Sequence, residues 1–290
     1  DYAEIMGTIY RKGMYIFCNN KTISSAPSMF GYKYKNEISN DIIYFKNSKL
    51  ERISNISSVI QISQFVIVAT AMTSTSVHNI LYWKQSFEAF NKNRNQIDIR
   101  KIEYIDNINK KMIILINSQQ IVNFVVTDLT VAGITYNNTT TSLLISINCI
   151  FDGSKANDTC IVISIPISIN INTLKINTEN MKIVSVINLN SVTLNLKVKC
   201  KTLYLTDICF KNNLLYILVD YITGGYVLKI KFYKHLNKFS SLPSIIQNDY
   251  DDDGLVLEQK PTSLCLAKDG LIITLKRDKS PVFDYIIIND

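Results

Sequence analysis

The chain has 290 residues, of which 47% are hydrophobic and 19% charged, and its formal net charge is +7 at pH 7. This hydrophobic content excludes an intrinsically disordered protein, and the length suits one large all-β domain or two ordinary domains. No apolar run approaches the roughly 18–20 residues that a membrane-spanning helix needs. We therefore expect a folded chain without a transmembrane segment.

Short apolar segments broken by polar turns recur along the chain at intervals of about 8–12 residues, a spacing typical of all-β domains. Ile, Val, Thr, Tyr and Phe, which favour strands, dominate these segments. Only 9 glycines and 5 prolines are present, and no Pro/Ser/Gly-rich linker divides the sequence. The sequence therefore predicts an all-β fold in a single domain, residues 1–290.

In chain order, the apolar segments fall into six groups of about four strands, the organisation of a six-bladed β-propeller. The last group has three strands, and we expect residues 5–10 to complete it, because closing the ring removes two exposed sheet edges. A five- or seven-bladed propeller and a tandem β-sandwich remain open, since the same strand spacing suits them. The groups cover residues 13–45, 58–100, 102–126, 130–189, 203–233 and 261–288.

Two segments within these groups carry specific predictions. The apolar runs at residues 112–116 and 121–126 predict the core strands of the third group. Residues 161–171 alternate isoleucine with other residues, the period of two expected of a strand. Because Pro166 cannot donate a ladder hydrogen bond, we expect this strand to lie at the edge of its sheet.

Cysteines and glycosylation sequons favour a secreted or cell-surface protein. The chain has six cysteines. It begins at Asp1, as a product of signal-peptide removal would, although any cut of the chain would leave a similar start. The N-x-[ST] sequons, which are expected to carry glycans, begin at Asn20, Asn55, Asn137, Asn138 and Asn157.

Three disulfides are predicted from the positions of the cysteines. One pair flanks a polar turn between two strong strands, a second brackets a short segment, and the third joins the first group to the last across the ring closure. Six cysteines allow many other connectivities, and six free buried thiols of a cytosolic protein remain the alternative. The predicted pairs are Cys149–Cys160, Cys200–Cys209 and Cys18–Cys265.

One acidic segment matches part of a calcium-binding loop. Asp249, Asp251 and Asp253 stand at the first, third and fifth positions of such a loop, and a glycine follows at the sixth. Leu257 and Lys260 stand at the ninth and twelfth positions, where a calcium loop has ligands. This is half of a ligand set, and a solvated acidic loop is the alternative. We expect no other metal or cofactor.

The densest basic stretch consists of Lys229, Lys231, Lys234 and Lys238, with His235 among them. Lys229 and Lys231 share one strand face because side chains alternate along a strand. Such a face suits a sulfated glycan, an anionic membrane or an acidic protein, and an ordinary solvated outer strand is the alternative. Nucleic acid is disfavoured, because stacking aromatic residues do not alternate with the charge.

No catalytic motif is present in the sequence. The nucleophile elbow of hydrolases, the Walker loop and the dinucleotide-binding glycine pattern are all absent. His78 and His235 lie in no recognised motif. A pair of acids such as Asp207 and Asp284 could serve a divergent glycosidase, but any propeller offers such pairs. We expect a protein without enzymatic activity.

The abundance of Ile, Asn, Lys and Tyr, which have A/T-rich codons, accompanies this strand pattern along the whole chain. In these two respects the chain resembles divergent secreted six-bladed β-propellers, including those of apicomplexan invasion complexes. The sequence carries no motif of a propeller subfamily. A diglycine like that of kelch repeats occurs at Gly224 but does not recur. The resemblance implies an interaction scaffold in a surface, adhesion or invasion complex, with another secreted or surface protein as partner. A sulfated-glycan lectin and a divergent glycosidase remain the alternatives.

Overall fold

A computed structural model describes residues 108–122, 125–151, 159–170, 173–189, 204–221 and 224–240 as continuous stretches. Elsewhere it describes separate strands by their backbone. The side chains described within those separate strands are Ser58, Ile60, Ile62, Val68, Thr70, Ile105, Pro261, Ser263, Leu264, Leu271 and Ile273.

The continuous stretches and the separate strands together contain 23 strands in five sheets and one α-helix of 12 residues. The predicted β-rich fold class is therefore confirmed, and its cause is the strand preference of Ile, Val, Thr, Tyr and Phe. Among these residues, no helix combines the length and the hydropathy that crossing a bilayer would require.

The elements are numbered in chain order. The first nine strands are β1 (Ala3–Tyr10), β2 (Met14–Asn20), β3 (Met29–Tyr34), β4 (Ile38–Phe45), β5 (Ile53–Ser63), β6 (Val66–Thr73), β7 (His78–Lys84), β8 (Gln96–Ile97) and β9 (Glu103–Ile105). Next come α1 (Ile108–Gln119), β10 (Val126–Asn137), β11 (Ser142–Phe151), β12 (Thr159–Asn170), β13 (Thr173–Ile176), a 3-10 turn (Thr178–Asn180) and β14 (Lys182–Asn188). The remaining strands are β15 (Tyr204–Lys211), β16 (Leu214–Tyr221), β17 (Gly224–Tyr233), β18 (Lys238–Phe239), β19 (Ser244–Ile245), β20 (Val256–Leu257), β21 (Pro261–Leu266), β22 (Gly270–Leu275) and β23 (Asp284–Asn289).

The chain divides into two compact units. The first consists of residues 1–107, 170–172 and 262–290, and the second of residues 108–169 and 173–261. The first unit has three sheets: β1 to β4 with β8, β5 to β7 with β9, and β21 to β23. The prediction of one domain over the whole chain stays a prediction.

The N-terminal strand does not complete the last sheet, and this part of the prediction is wrong. Strand β1 pairs antiparallel with β2, with Ile5 opposite Cys18. The last sheet has the order β21-β22-β23. Pairing neighbouring strands such as β1 and β2 closes a short loop at a small entropic cost, whereas pairing β1 with β23 would close a loop of nearly the whole chain.

Helix α1 replaces the strand predicted at residues 112–116, so the third predicted sheet is also wrong. Ile108, Met112 and Ile116 are buried and stand four residues apart, which places them on one face of a helix. Asn117 fixes the end of the helix to β10, because its amide donates to the Val126 carbonyl and accepts from the Val126 amide, both at 2.9 Å. Of the described residues in the run predicted at residues 121–126, which are 121, 122, 125 and 126, only Val126 lies in a strand.

The second unit has two sheets. Sheet I consists of β10 to β14, and sheet II of β15 to β20. Strand β12 lies inside sheet I, between β11 and β14, so the prediction of an edge strand is wrong. Pro166 is tolerated there because it lies beyond Ser164, where the pairing of β12 with β14 ends, and because its carbonyl accepts from the Asn177 amide at 2.9 Å without needing a proline donor.

Sheets I and II share one hydrophobic core, which buries the side chains that alternate along their strands. Polar contacts also join the sheets. The Asn148 side chain donates to the Leu205 carbonyl at 2.9 Å and accepts from the Leu205 amide at 3.1 Å. The core consists of Ala132, Leu144, Cys160, Val162, Ile187, Leu189, Leu205, Ile208, Phe210, Leu215, Ile217, Val219, Tyr226, Leu228, Ile230, Phe232 and Phe239.

Candidate binding surface

The predicted basic stretch forms the hairpin of β17 and β18. In its register, Phe232 lies opposite Phe239 and Tyr233 opposite Lys238. The turn at residues 234–237 is closed by a hydrogen bond from the Leu236 amide to the Tyr233 carbonyl, at 3.1 Å. Asn237 has a φ of 49°, a left-handed conformation that asparagine tolerates better than most residues.

Three aromatic rings hold this hairpin against the core. The Phe210 ring lies edge-on to Phe232 and to Phe239, with ring centroids 5.9 and 6.4 Å apart, and the Phe232 and Phe239 centroids are 5.0 Å apart. These distances are in the range of favourable aromatic pairs. Because the phenylalanines are buried, the residues that alternate with them along the hairpin face solvent.

Those alternating residues are mostly basic. Lys231, Lys234 and Lys238 are exposed, and Lys229 is partly buried on the same strand face as Lys231. The Lys231 ammonium lies 5.6 Å from the centroid of the Tyr233 ring, within the range of a cation–π contact. The hairpin therefore displays three solvated positive charges.

Two other turns adjoin the hairpin. The Phe232 amide donates to the Asn213 carbonyl at 2.7 Å, which joins the hairpin to the β15–β16 turn. The Thr139 hydroxyl donates to the Asn213 side-chain oxygen at 3.3 Å, which joins that turn to the β10–β11 turn. We call the resulting surface the basic end; its members are Lys211, Asn213, Lys231, Tyr233, Lys234, His235, Leu236 and Lys238.

Among the described residues of the second unit, no acidic residue belongs to the basic end. Asp207 and Asp220 are buried. Glu179 pairs with Lys111 at 2.7 Å. Asp128 lies near the start of β10, about 30 Å of strand away from the β10–β11 turn at roughly 3.3 Å per residue. The described positive charges of the basic end therefore add to one another.

The basic end also exposes apolar surface at its tip. Leu236 is 58% exposed and Tyr233 is 36% exposed. A leucine at the tip of a turn buries little of itself in the fold. Leu236 and Tyr233 therefore add apolar surface beside the lysines of the turn.

The predicted Cys149–Cys160 pair is not brought together. Both are free, buried thiols. Cys160 lies opposite Asn148 in the register of β11 and β12, so Cys149 is one residue out of step and, by the alternation of side chains, on the other face of the sheet. Burial raises the pKa of Cys149 to about 12 and also raises that of Cys160.

The other predicted cysteine pairs and the calcium loop fall largely outside the described residues. Cys209 is buried in β15, where it lies opposite Tyr216, but its predicted partner Cys200 is outside the described ranges. The side chains of Cys18 and Cys265 are also outside them, as are Asp249, Asp251 and Asp253. Among the side chains that are described, no group of three or more His, Cys, Asp or Glu could hold a metal ion.

Two of the five predicted glycosylation sites are described. Asn137 is only 1% exposed, and its side-chain oxygen accepts from the amides of Thr139 at 2.9 Å and Thr140 at 3.2 Å. Asn138 is exposed in the turn. The side chains of Asn20, Asn55 and Asn157 lie outside the described part of the chain.

The acids considered for catalysis are not placed as a reactive pair. Asp207 is buried, and its carboxylate accepts from the Ile208 amide at 2.9 Å. The Asp284 side chain is not among those described. The basic end is therefore the candidate site that the structure assembles. The basic stretch in the sequence could not predict that the β10–β11 and β15–β16 turns lie beside it, because they are far away along the chain.

No protein-family model and no curated protein matches the sequence. Among solved structures, the chain is similar to the PQQ-bound form of aldose sugar dehydrogenase from Streptomyces coelicolor, with a TM-score of 0.42 and 8% sequence identity. That match covers 95% of this chain and 89% of the dehydrogenase chain. At this level of similarity, the likeness assigns neither a family nor a function.

Proposed function

We propose that the chain is a non-enzymatic binding module that docks an acidic protein through the basic end. The observation that supports this most directly is the braced β17–β18 hairpin, which exposes Lys231, Lys234 and Lys238 with no described carboxylate beside them. Complementary charge speeds the encounter with an acidic partner and orients it.

The apolar tip favours a protein partner over a sulfated glycan. Burying a leucine side chain contributes about 1.5–3 kcal/mol, and Leu236 is available for such burial because most of it is exposed. A highly sulfated glycan would use the lysines but has no aliphatic surface for Leu236. An acidic protein can use both.

The setting of this function remains part of the proposal. The sequons support a secreted or cell-surface scaffold, as in an adhesion or invasion complex. The cysteines add no support, because the described thiols of Cys149 and Cys160 are free and buried. Successive antiparallel sheets support a propeller arrangement. The predicted number of six blades depended on the third sheet and on the N-terminal closure, and both of those predictions were corrected above. Small-angle scattering tests whether the chain is as compact as a single propeller requires, because a compact chain of 290 residues has a radius of gyration of about 19 Å. A clearly larger radius would contradict a single closed propeller.

The binding proposal can be tested with three anionic probes: polyglutamate, a glutamate–tyrosine copolymer and heparin. We expect the full chain to bind the copolymer most tightly, because it offers charge together with apolar surface. Lys234→Gln with Lys238→Gln is expected to weaken this binding about tenfold. The control, Lys110→Gln with Lys175→Gln, removes the same charge from exposed residues of α1 and β13 and is expected to change it little.

Leu236→Ala separates the partner classes. It is expected to weaken copolymer binding about tenfold and to leave heparin binding unchanged. Tighter binding to heparin than to the copolymer, with no effect of Leu236→Ala, would replace the acidic protein with a sulfated glycan. Equal losses in the hairpin variant and its control would show that only net charge matters, and the proposed site would then be wrong.

A further inference from the structure

The β10–β11 turn contains two overlapping glycosylation sequons, and the structure distinguishes them. The first begins at Asn137 and needs Thr139, and the second begins at Asn138 and needs Thr140. The Asn137 side chain is buried and caps the turn by accepting two backbone hydrogen bonds. A glycan on its amide nitrogen would pull this side chain out of the fold and break both bonds.

Asn138 has the opposite surroundings. Its side chain is exposed at the turn, so a bulky substituent there can extend into solvent without displacing the chain. The hydroxyl of Thr140 in its sequon lies 2.7 Å from the Ser142 hydroxyl, a contact that does not involve the Asn138 side chain.

The same turn is part of the surroundings of the basic end. Thr139, next to Asn138, donates to Asn213, and Asn213 accepts from Phe232, whose chain neighbours are Lys231 and Tyr233. Two hydrogen bonds therefore separate the β10–β11 turn from the strand that carries the exposed Lys231. A branched glycan at Asn138 would overlie the approach to those lysines.

We propose that Asn138 carries an N-linked glycan and that this glycan shields the basic end from its partner. The inference of shielding rests on the proposed binding function, whereas the inference of the modification site does not. The donor is an oligosaccharide attached to a lipid diphosphate. The Asn138 amide nitrogen bonds to the anomeric carbon, the bond from that carbon to the diphosphate oxygen breaks, the lipid diphosphate leaves with the electron pair, and the nitrogen loses a proton.

Two single substitutions identify the acceptor. Thr139→Ala removes only the Asn137 sequon, and Thr140→Ala removes only the Asn138 sequon. The full chain is secreted from eukaryotic cells and treated with peptide-N-glycosidase, which converts a glycosylated asparagine to aspartate. We expect peptide mapping to place the aspartate at 138 in the wild type and in Thr139→Ala, and to find none in Thr140→Ala. An aspartate at 137, or at neither position, would overturn the assignment.

Shielding is tested by binding to the glutamate–tyrosine copolymer. Asn138→Gln, with the other sequons intact, is expected to bind at least about tenfold more tightly than the glycosylated wild type. Equal binding by these two proteins would refute shielding and leave the binding site standing. Failure of Asn138→Gln and of the enzymatically deglycosylated chain to bind would instead refute the binding function.

Discussion

Gly133 is a position where a single methyl group should disturb the packing of sheets I and II. A Cβ at Gly133 would lie 2.6 Å from the Ile208 amide nitrogen, 2.6 Å from an Asp207 carboxylate oxygen and 2.9 Å from the Asp207 Cα. Two of these three atoms are backbone, so a change of rotamer cannot relieve the contact. In Gly133→Ala, β10 and β15 must therefore move apart.

The size of the effect follows from two opposing terms. Overpacking of this kind costs about 1–3 kcal/mol, whereas replacing glycine by alanine stabilises by about 0.4–1 kcal/mol through the unfolded chain. The central values of the two terms leave a net loss of about 1.3 kcal/mol. This loss corresponds to a fall in Tm of about 3–5 °C for a unit of this size. Thermal unfolding followed by circular dichroism measures it. Thr130→Ala, at an exposed position of β10, is the control and is expected to change Tm by less than about 2 °C. A Gly133→Ala variant as stable as the wild type would refute the close contact.

The remaining predictions concern single side chains. Asn148→Leu leaves the amide and carbonyl of Leu205 without their partner, which is expected to cost about 1–3 kcal/mol in urea unfolding; an unchanged midpoint would contradict this. Because burial raises the pKa of Cys149 to about 12, its thiol should resist alkylation at pH 8 until denaturant is added, and prompt labelling in peptide maps would contradict the burial. The hydrogen bond and charge of Lys111 lower the pKa of Glu179, so this pair stabilises at neutral pH and loses its effect as the pH falls through that pKa; Lys111→Met should raise the Glu179 pKa in an NMR titration.

The sequence was sufficient for the strands whose pattern is unambiguous. Residues 161–169 alternate strictly, and they lie in β12. The sequence also showed that Lys229 and Lys231 would share a strand face. These features depend only on the period of two, which each strand carries in its own residues.

Other features depend on partners far along the chain. A short apolar run such as residues 112–116 suits a strand or a buried helix equally, and its helical form depends on the surfaces that bury Met112 and Ile116. The contact between Thr139 and Asn213 joins turns that are 74 residues apart, so no local pattern predicts it. The difference between Asn137 and Asn138 is likewise a matter of burial, since both satisfy the same sequon.

The proposed binding surface is held by the contacts that hold the two sheets together. Phe232 and Phe239 belong to the inter-sheet core and fix the hairpin from beneath, while Asn213 fixes its side through the Phe232 amide. A hairpin braced in this way has little backbone freedom left to lose when a partner binds, which lowers the entropic cost of association. The lysine charges and the exposed Leu236 can therefore contribute to affinity from positions that already exist in the free protein. The adjoining β10–β11 turn is polar and projects from the same rigid end, so a substituent at Asn138 is held close to the surface that it would cover.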